Sequence, residues 1–177
     1  MRSLFLALAA LIPATRAAQT PARPTAPAPT PLVYRGFTPG MTYLDFVVRA
    51  QSLARADTLR CDTSPHTAQV MDCGLRIKDP ADGATFFLSA NVIEGRTSVV
   101  SFKDSGGVAV VQNAQRDLER RFGPAPKRER GMWEWQAGRR FVRLTWRGKA
   151  DWRVASITLN DRDVMDRITH YLPPRAH

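Results

Sequence analysis

The first helical pattern in the chain lies near the start of the predicted domain. Apolar residues recur every three to four positions from Phe46 to Ala54, which predicts a helix from about 43 to 55. Thr42 and Asp45 have the spacing of a capping box, in which the hydroxyl accepts a backbone N–H and the carboxylate favours the positive end of the helix. We therefore place the helix start at this threonine.

A second helical pattern covers residues 108 to 122. Gly123 and Pro124 follow it, as a left-handed cap and a helix breaker do at the end of a helix. Its apolar residues fall on one face and are Val111, Ala114, Leu118 and Phe122. The sequence therefore predicts a second amphipathic helix that packs by this face.

Elsewhere the pattern changes to short runs rich in β-branched and aromatic residues, separated by turns. These predicted strands lie near 59–61, 70–73, 86–93, 99–102, 133–136, 140–146 and 153–159, with a last short helix at 161–171. The order predicts an α+β fold with two helix-plus-antiparallel-β-meander repeats in one domain. Repeat one spans about 37–103 and repeat two about 105–160. The pattern leaves open whether the repeats share one sheet.

The first 31 residues carry neither pattern. Residues 1–17 combine a basic start, an apolar run and small residues, which is typical of a secretory signal peptide. The run is about half the roughly 20 residues that a membrane-spanning helix needs, so we expect no transmembrane helix in the mature chain. Residues 18–31 hold five prolines and predict a Pro/Ala-rich disordered linker. The domain then spans 32–177, which we expect to be monomeric.

The chain has two cysteines, Cys61 and Cys73. Neither lies near the predicted cleavage site, so no lipid anchor is expected and the protein is predicted to be periplasmic or secreted. Because that compartment is oxidising, we expect a disulfide, worth on the order of 3 kcal/mol by loop closure. The alternative, a metal site of both thiols with His66 and Asp62 or Asp72, matches no standard zinc spacing.

Positive charge is concentrated in one part of the chain. The formal net charge is +10, yet residues 32–107 hold equal numbers of basic and acidic residues. Residues 116–153 hold twelve basic and five acidic ones. This surplus either attracts anionic partners to one face or only keeps the protein dispersed in water, and both interpretations stay open.

Three segments resemble a known group of envelope proteins. They are Gly40-Met41-Thr42-x-x-Asp45 at a helix start, Phe122-Gly123-Pro124-x-Pro126 at a helix end, and Trp133-x-Trp135 before a hydrophobic strand pair. They resemble the SmpA/OmlA outer-membrane assembly proteins, and the tandem order resembles the secreted β-lactamase inhibitory proteins. The lipid-bearing cysteine of the assembly lipoproteins is missing here. The resemblance implies a non-enzymatic protein that holds a protein partner with its sheet face.

Residues with catalytic potential are few. His66 lies in the loop between the cysteines, and His170 and His177 lie at the chain end, so no histidine falls on a predicted strand or beside a serine nucleophile. We therefore assign no catalytic, cofactor-binding or metal residues and expect no cofactor and no enzymatic activity.

The strand pattern of the second meander suggests candidate binding residues. Alternation places Trp133 and Trp135 on one face of their strand, where they either belong to the core or contact a partner. Along the next predicted strand and the residues that flank it, alternation places Arg139, Arg143 and Arg147 on one side with Phe141 and Thr145, and arginine beside an aromatic residue is common in binding hot spots. The partner-binding hypothesis comprises Arg139, Phe141, Arg143, Arg147, Trp133 and Trp135.

Three functions remain. The first is an exported non-enzymatic binding module that engages another envelope or extracellular protein through its sheet face. The second is an electrostatic binder of an anionic polymer or of lipid headgroups, whose affinity would fall steeply with salt. The third is an uncharacterised enzyme.

Overall fold

The structure, a computed structural model, describes residues 31–54, 57–78 and 83–169. The predicted signal peptide, most of the predicted linker, His170 and His177 lie outside these residues. Within them, no helix is both long enough and apolar enough to cross a bilayer.

The described residues form three helices and eight strands. The helices are α1 (Tyr43–Leu53), α2 (Val108–Phe122) and α3 (Arg162–Met165). The strands are β1 (Arg60–Thr63), β2 (Val70–Lys78), β3 (Thr85–Ile93), β4 (Arg96–Gly106), β5 (Lys127–Glu129), β6 (Met132–Ala137), β7 (Arg140–Arg147) and β8 (Arg153–Asp161).

All eight strands belong to one antiparallel sheet in the order β1-β2-β3-β4-β8-β7-β6-β5. The two meanders, β1–β4 and β5–β8, meet where β4 pairs with β8, in a register that runs from Val99 opposite Asn160 to Gly106 opposite Arg153. The mixed α+β class is therefore confirmed, and the two meanders share one continuous sheet.

Helix α1 begins where the capping box predicts. The backbone N–H of Asp45 donates to the Thr42 hydroxyl at 3.1 Å, and that hydroxyl donates to the Asp45 carboxylate at 2.6 Å. The helix ends at Leu53, two residues before the predicted end, because Ala54 is in the extended conformation. Its buried residues face the sheet and anchor the helix there.

Helix α2 has the predicted bounds. Gly123 follows it with φ +77°, a left-handed value that favours glycine, and its N–H donates to the Glu119 carbonyl at 2.9 Å. Val111 and Leu118 are buried on the predicted apolar face.

The main core lies between α1, α2 and one face of the sheet. Helix residues such as Phe46 and Leu118 pack there with sheet residues such as Phe102 and Leu144. Tyr34, in the segment before α1, joins them with its ring edge-on to Phe102 at 5.0 Å between centroids. Both long helices therefore cover the same face of the sheet.

Helix α3 packs separately from this core. Val164 and Ile168 contact Val70 and Ile93, which are register partners on β2 and β3. Met71, next to Val70, packs against the main core, so strand alternation turns Val70 to the opposite face. Helix α3 therefore covers one end of the face that α1 and α2 leave free.

The structure corrects two predictions for the second half of the chain, the number of strands in its meander and the length of the last helix. That meander has four strands instead of three, because Lys127–Glu129 pairs with β6 although its three charged residues carry no apolar alternation. The last helix spans four residues instead of the predicted 161–171, since the described chain beyond Met165 continues as turn and coil.

The predicted disulfide is confirmed. Cys61 and Cys73 are directly opposite each other on β1 and β2, with their Cα atoms 4.1 Å apart. The bond ties the four-residue edge strand β1 to the sheet, on the side of the main core.

Candidate functional site

The two faces of the sheet differ in what covers them. One face carries α1 and α2, and we call the other the open face. Its side chains are identified by alternation, since cross-strand partners point to the same side. Away from α3, the residues of the open face include Arg76, Phe87, Ser89, Ser101, Lys103, Arg143, Thr145, Arg147, Val154, Ser156 and Thr158.

The centre of the open face is built from small hydroxyl side chains. The Ser101 and Ser156 hydroxyls, on neighbouring strands β4 and β8, are 3.2 Å apart and hydrogen-bonded. Ser89 and Thr158 lie beside Ser101 in the register, and all four residues are half-buried. Such side chains cannot form a second apolar core, so this surface is suited to contact with water or with a polar partner.

Two predicted binding residues, Phe141 and Arg143, lie on the open face but are engaged within the chain. Arg143 pairs with the buried carboxylate of Glu134 at 2.6 Å. Its guanidinium also lies over the Phe141 ring at 4.8 Å, and Arg162 covers the same ring at 5.1 Å. Phe141 is only 5% exposed. This part of the face is therefore closed by its own arginines.

Arg139 lies in the turn between β6 and β7 and holds α3. It pairs with Asp163 at 2.5 Å and with Asp166, and the hydrogen bond with Asp163 raises the pKa of Arg139. The neighbouring Arg140 pairs at 2.8 Å with Asp161, whose carboxylate also caps α3. The guanidinium of Arg139 thus has a structural partner at this end.

Arg147 differs from Arg139 and Arg143 in that its side chain is not engaged in an ion pair with a described residue. It is exposed at the end of β7 and forms no ion pair with any residue that the structure describes. It shares a shallow cleft with Lys103 of β4, and an adjoining cleft is lined by Lys103, Arg76 and Phe87. We call Arg76, Lys103 and Arg147, with Phe87 between the first two, the basic end of the open face.

The basic end is also where exposed aromatic residues occur. Phe87 is 44% exposed and Trp152 is 58% exposed, and they are the aromatic members of the large exposed hydrophobic residues in the described part of the chain. Trp152 lies just before β8, two positions from Val154 of the same end. Arginine with exposed aromatics is the composition expected of a binding hot spot.

Sequence reasoning missed most of this cluster. Arg76, Phe87 and Lys103 belong to the first half, where basic and acidic residues balance, so charge counting gave no signal. They come together only through the register, in which Arg76 is opposite Phe87 and Phe87 is opposite Lys103. The available clue was an aromatic residue, Phe87, at a position of β3 where alternation predicts the polar side.

The two predicted tryptophans lie on the helix-covered face. Trp135 is buried, and its indole N–H donates to the Gly123 carbonyl at 2.8 Å. Trp133 packs against the core edge-on to Trp146, and Arg128 lies 4.4 Å above its ring. The six predicted binding residues therefore do not form one surface. The tryptophans belong to the core side, as one of the two interpretations expected.

The basic surplus of residues 116–153 does not form one unpaired patch. Many of its cations are paired with nearby carboxylates, which reduces the field they present to a partner. The paired cations are Arg120 and Arg121 with Asp117, Lys127 with Glu129, Arg128 with Glu119, Arg139 with Asp163 and Asp166, Arg140 with Asp161, and Arg143 with Glu134.

A second concavity lies on the helix side, between the segment before α1 and α2. Its apolar floor includes Phe86 and Phe102. Tyr34 stands at its edge, covered by Arg121 at 5.4 Å from the ring centroid, and burial raises the pKa of Tyr34. Arg121 is itself paired with Asp117, so the charges at this groove are largely matched within the chain.

Metal-binding residues are not grouped in the part of the chain that the structure describes, where no three His, Cys, Asp or Glu side chains could hold an ion together. Comparison of the chain with protein-family models, curated proteins and solved structures gives no match.

Proposed function

We propose that the chain is an exported, non-enzymatic binding module that engages another envelope or extracellular protein through the open face of its sheet. One observation carries this proposal. Outside the end covered by α3, a broad strand surface of small polar residues is left without any described covering segment. Protein interfaces commonly combine such polar area with a few aromatic and arginine anchors.

The two edge strands of the sheet are poorly suited to bind a partner, which favours the open face as the contact surface. Both edge strands, β1 and β5, are short and carry charged residues. Short charged edges disfavour the addition of a strand from another chain. A partner is therefore expected to meet side chains of the open face and not to extend the sheet.

The disulfide supports export. Bonds of this kind form and persist in oxidising compartments, and Cys61–Cys73 is placed where it stabilises an edge strand that has only one neighbour. This agrees with the signal peptide predicted for residues 1–17.

The element order also supports the two-repeat interpretation. We propose that α1 with β1–β4 and α2 with β5–β8 are two copies of one unit, joined through the β4–β8 pair. The resemblance to SmpA/OmlA-type and β-lactamase inhibitory proteins implies the same unit and the same use of the sheet face.

The proposal is tested by blocking the open face. Ser101→Trp places a large side chain at its centre, and Gln112→Trp places the same side chain on the exposed surface of α2. Tagged mature protein of each variant is used to capture partners from the native envelope fraction, with thermal melting as the check on folding. We expect one stoichiometric partner with wild type and Gln112→Trp, and none with Ser101→Trp.

Ser89→Trp is a second variant that blocks the same face. Retention of the partner by both Ser101→Trp and Ser89→Trp would contradict the proposal. The alternative, electrostatic association with an anionic polymer or lipid surface, predicts that only such material is captured and that salt removes it. The internal pairing of the basic residues in the second half makes this alternative weaker.

A further inference from the structure

We propose that the basic end of the open face recognises carboxylate side chains on an extended, acidic segment of the partner protein. This inference rests on the proposed function, because it names the chemistry of the partner at the same face. Arg76, Lys103 and Arg147 would bind carboxylates, and Phe87 would contact an apolar side chain between them.

The register fixes the spacing of the first two cations. Arg76, Phe87 and Lys103 are consecutive cross-strand partners on β2, β3 and β4. With strands about 4.8 Å apart, the Cα atoms of Arg76 and Lys103 are about 10 Å apart. The exposed ring of Phe87 lies between them, so the three side chains form a row of cation, aromatic and cation.

The third cation lies across β8. Val154 is the register partner both of Arg147 on β7 and of Ser105 on β4. Lys103 and Arg147 line one cleft whose other residues include Val154 and Ser156. The small side chains of β8 thus leave space between two cations, and Trp152 adds an exposed ring nearby.

Charge balance on the open face leaves these cations available. Of its acidic residues, Glu134 pairs with Arg143, Glu129 pairs with Lys127, and Asp72 accepts a hydrogen bond from Asn91. Asp62, opposite Asp72 on the edge strand β1, is exposed and lies four residues along the sheet from the level of Arg76. Asp104 borders the cleft, and its carboxylate accepts the N–H of Ser105 at 2.7 Å.

Arg76, Lys103 and Arg147 form no ion pair within the described residues. A carboxylate partner would therefore meet cations that are not already neutralised within the described part of the chain.

The spacing suits an extended segment. In a strand, side chains at positions i, i+2 and i+4 point to one side, and the outer two are about 13 Å apart. The carboxylates would thus be about 13 Å apart and the Cα atoms of the two cations about 10 Å apart, and the long Arg and Lys side chains can span this difference. A segment of the form Glu-x-Val-x-Glu would therefore place carboxylates at Arg76 and Lys103 and its valine on Phe87.

The inference is tested with defined peptides. The probe is acetyl-Thr-Glu-Thr-Val-Thr-Glu-Thr-amide, and the matched peptide has Gln in place of Glu. Binding to the mature protein at low salt is followed by chemical-shift titration. We expect the Glu peptide to bind about tenfold tighter, with shifts at Phe87, because two ion pairs to exposed cations contribute up to about 1.4 kcal/mol together.

A charge-matched pair of variants locates the site. Arg76→Gln/Lys103→Gln/Arg147→Gln should lose the preference for the Glu peptide, and Arg116→Gln/Arg120→Gln/Arg130→Gln, with the same change in net charge, should keep it. All six side chains are exposed, so we expect both variants to fold as the wild type does, which thermal melting checks.

Equal affinity for the two peptides, equal loss in both variants, or displacement of the Glu peptide by inorganic polyphosphate at the same concentration of charge would overturn this inference. Failure of the proposed function is separable from it. If Ser101→Trp removes the captured partner while Arg76→Gln/Lys103→Gln/Arg147→Gln retains it, the open face binds but carboxylate recognition is wrong. If Ser101→Trp retains the partner, the proposed function itself fails.

Discussion

The two faces of the sheet are made by the same strands, yet they use different chemistry. On β7, Val142 and Leu144 are fully buried under the helices, whereas Thr145 and Arg147 turn to the open face. On β8, Leu159 faces the core, and its neighbour Thr158 faces outward. Along these stretches of β7 and β8, buried apolar residues therefore alternate with residues that face outward.

The two faces therefore contribute unequally to the stability of the fold. The helix-covered face supplies the apolar burial that drives folding. The centre of the open face holds serine and threonine, whose exchange for other small residues leaves that burial unchanged. A surface that is not needed for folding but keeps exposed aromatics and unpaired cations at one end is available for binding.

The largest expected effect compares two adjacent residues of β7. Leu144→Ala should lower the free energy of unfolding by about 2–5 kcal/mol, because it leaves a cavity in the core. Thr145→Ala, one position away on the open face, should change it by less than about 0.5 kcal/mol. Urea unfolding of both variants measures the contrast, and similar losses would show that the two faces do not differ in this way.

Removal of the disulfide should have the next largest effect. Cys61→Ala/Cys73→Ala should lower the free energy of unfolding by about 3 kcal/mol, since the loop between the two positions is then unconstrained in the unfolded chain. Because the bond lies on the core side, peptide binding at the basic end should persist under conditions where the variant is folded. A loss of binding by the folded variant would mean that the edge strand shapes the open face.

A smaller loss of stability is expected when the ion pair between Arg143 and Glu134 on the open face is broken. Arg143→Met leaves the carboxylate of Glu134 buried without its cation. Because the arginine side chain is 37% exposed and water can reach the pair, we expect a loss of about 1–2 kcal/mol in urea unfolding. Glu134→Gln/Arg143→Met should recover part of it, and a double variant as unstable as the single one would argue against this pair.

The smallest effect concerns pH on the helix-covered side. Burial raises the pKa of Tyr34 above its ordinary value, so the folded state holds the proton more tightly than the unfolded state. That contribution is complete below the unfolded pKa, about 10, and is lost as the pH rises through the folded pKa. Tyr34→Phe should therefore reduce the alkaline loss of stability, measured by urea unfolding at pH 9 and above. An unchanged slope would exclude Tyr34 as its source.

Sequence patterns predicted the helices and most strands because caps, turns and hydrophobic periodicity depend on residues that are close together in the chain. The bounds of α2 followed from its apolar face and Gly123, and the start of α1 followed from Thr42. The strand β5 was missed because Lys127–Glu129 has no apolar residue, and its pairing with β6 depends on the neighbouring strand.

The candidate site was less predictable because its residues are distant along the chain and meet only in the folded sheet. The sequence pointed to Arg147, but its neighbours Arg76 and Lys103 are distant along the chain and meet it only through strand pairing across β8. The ion pairs that engage Arg139 and Arg143 also depend on tertiary structure. Charge composition therefore identified a basic half but not which cations remain unpaired.

The central claim is that the open face, and not the helix-covered side, meets the partner. The most direct measurement replaces Phe87, which already presents an exposed ring on the open face, or Gln112 on α2 with the photoreactive residue p-benzoyl-phenylalanine, and irradiates each protein in the native envelope fraction. We expect a single protein adduct of defined mass from position 87 that excess unlabelled protein removes, and no such adduct from position 112. A saturable adduct from Gln112 alone would contradict the account.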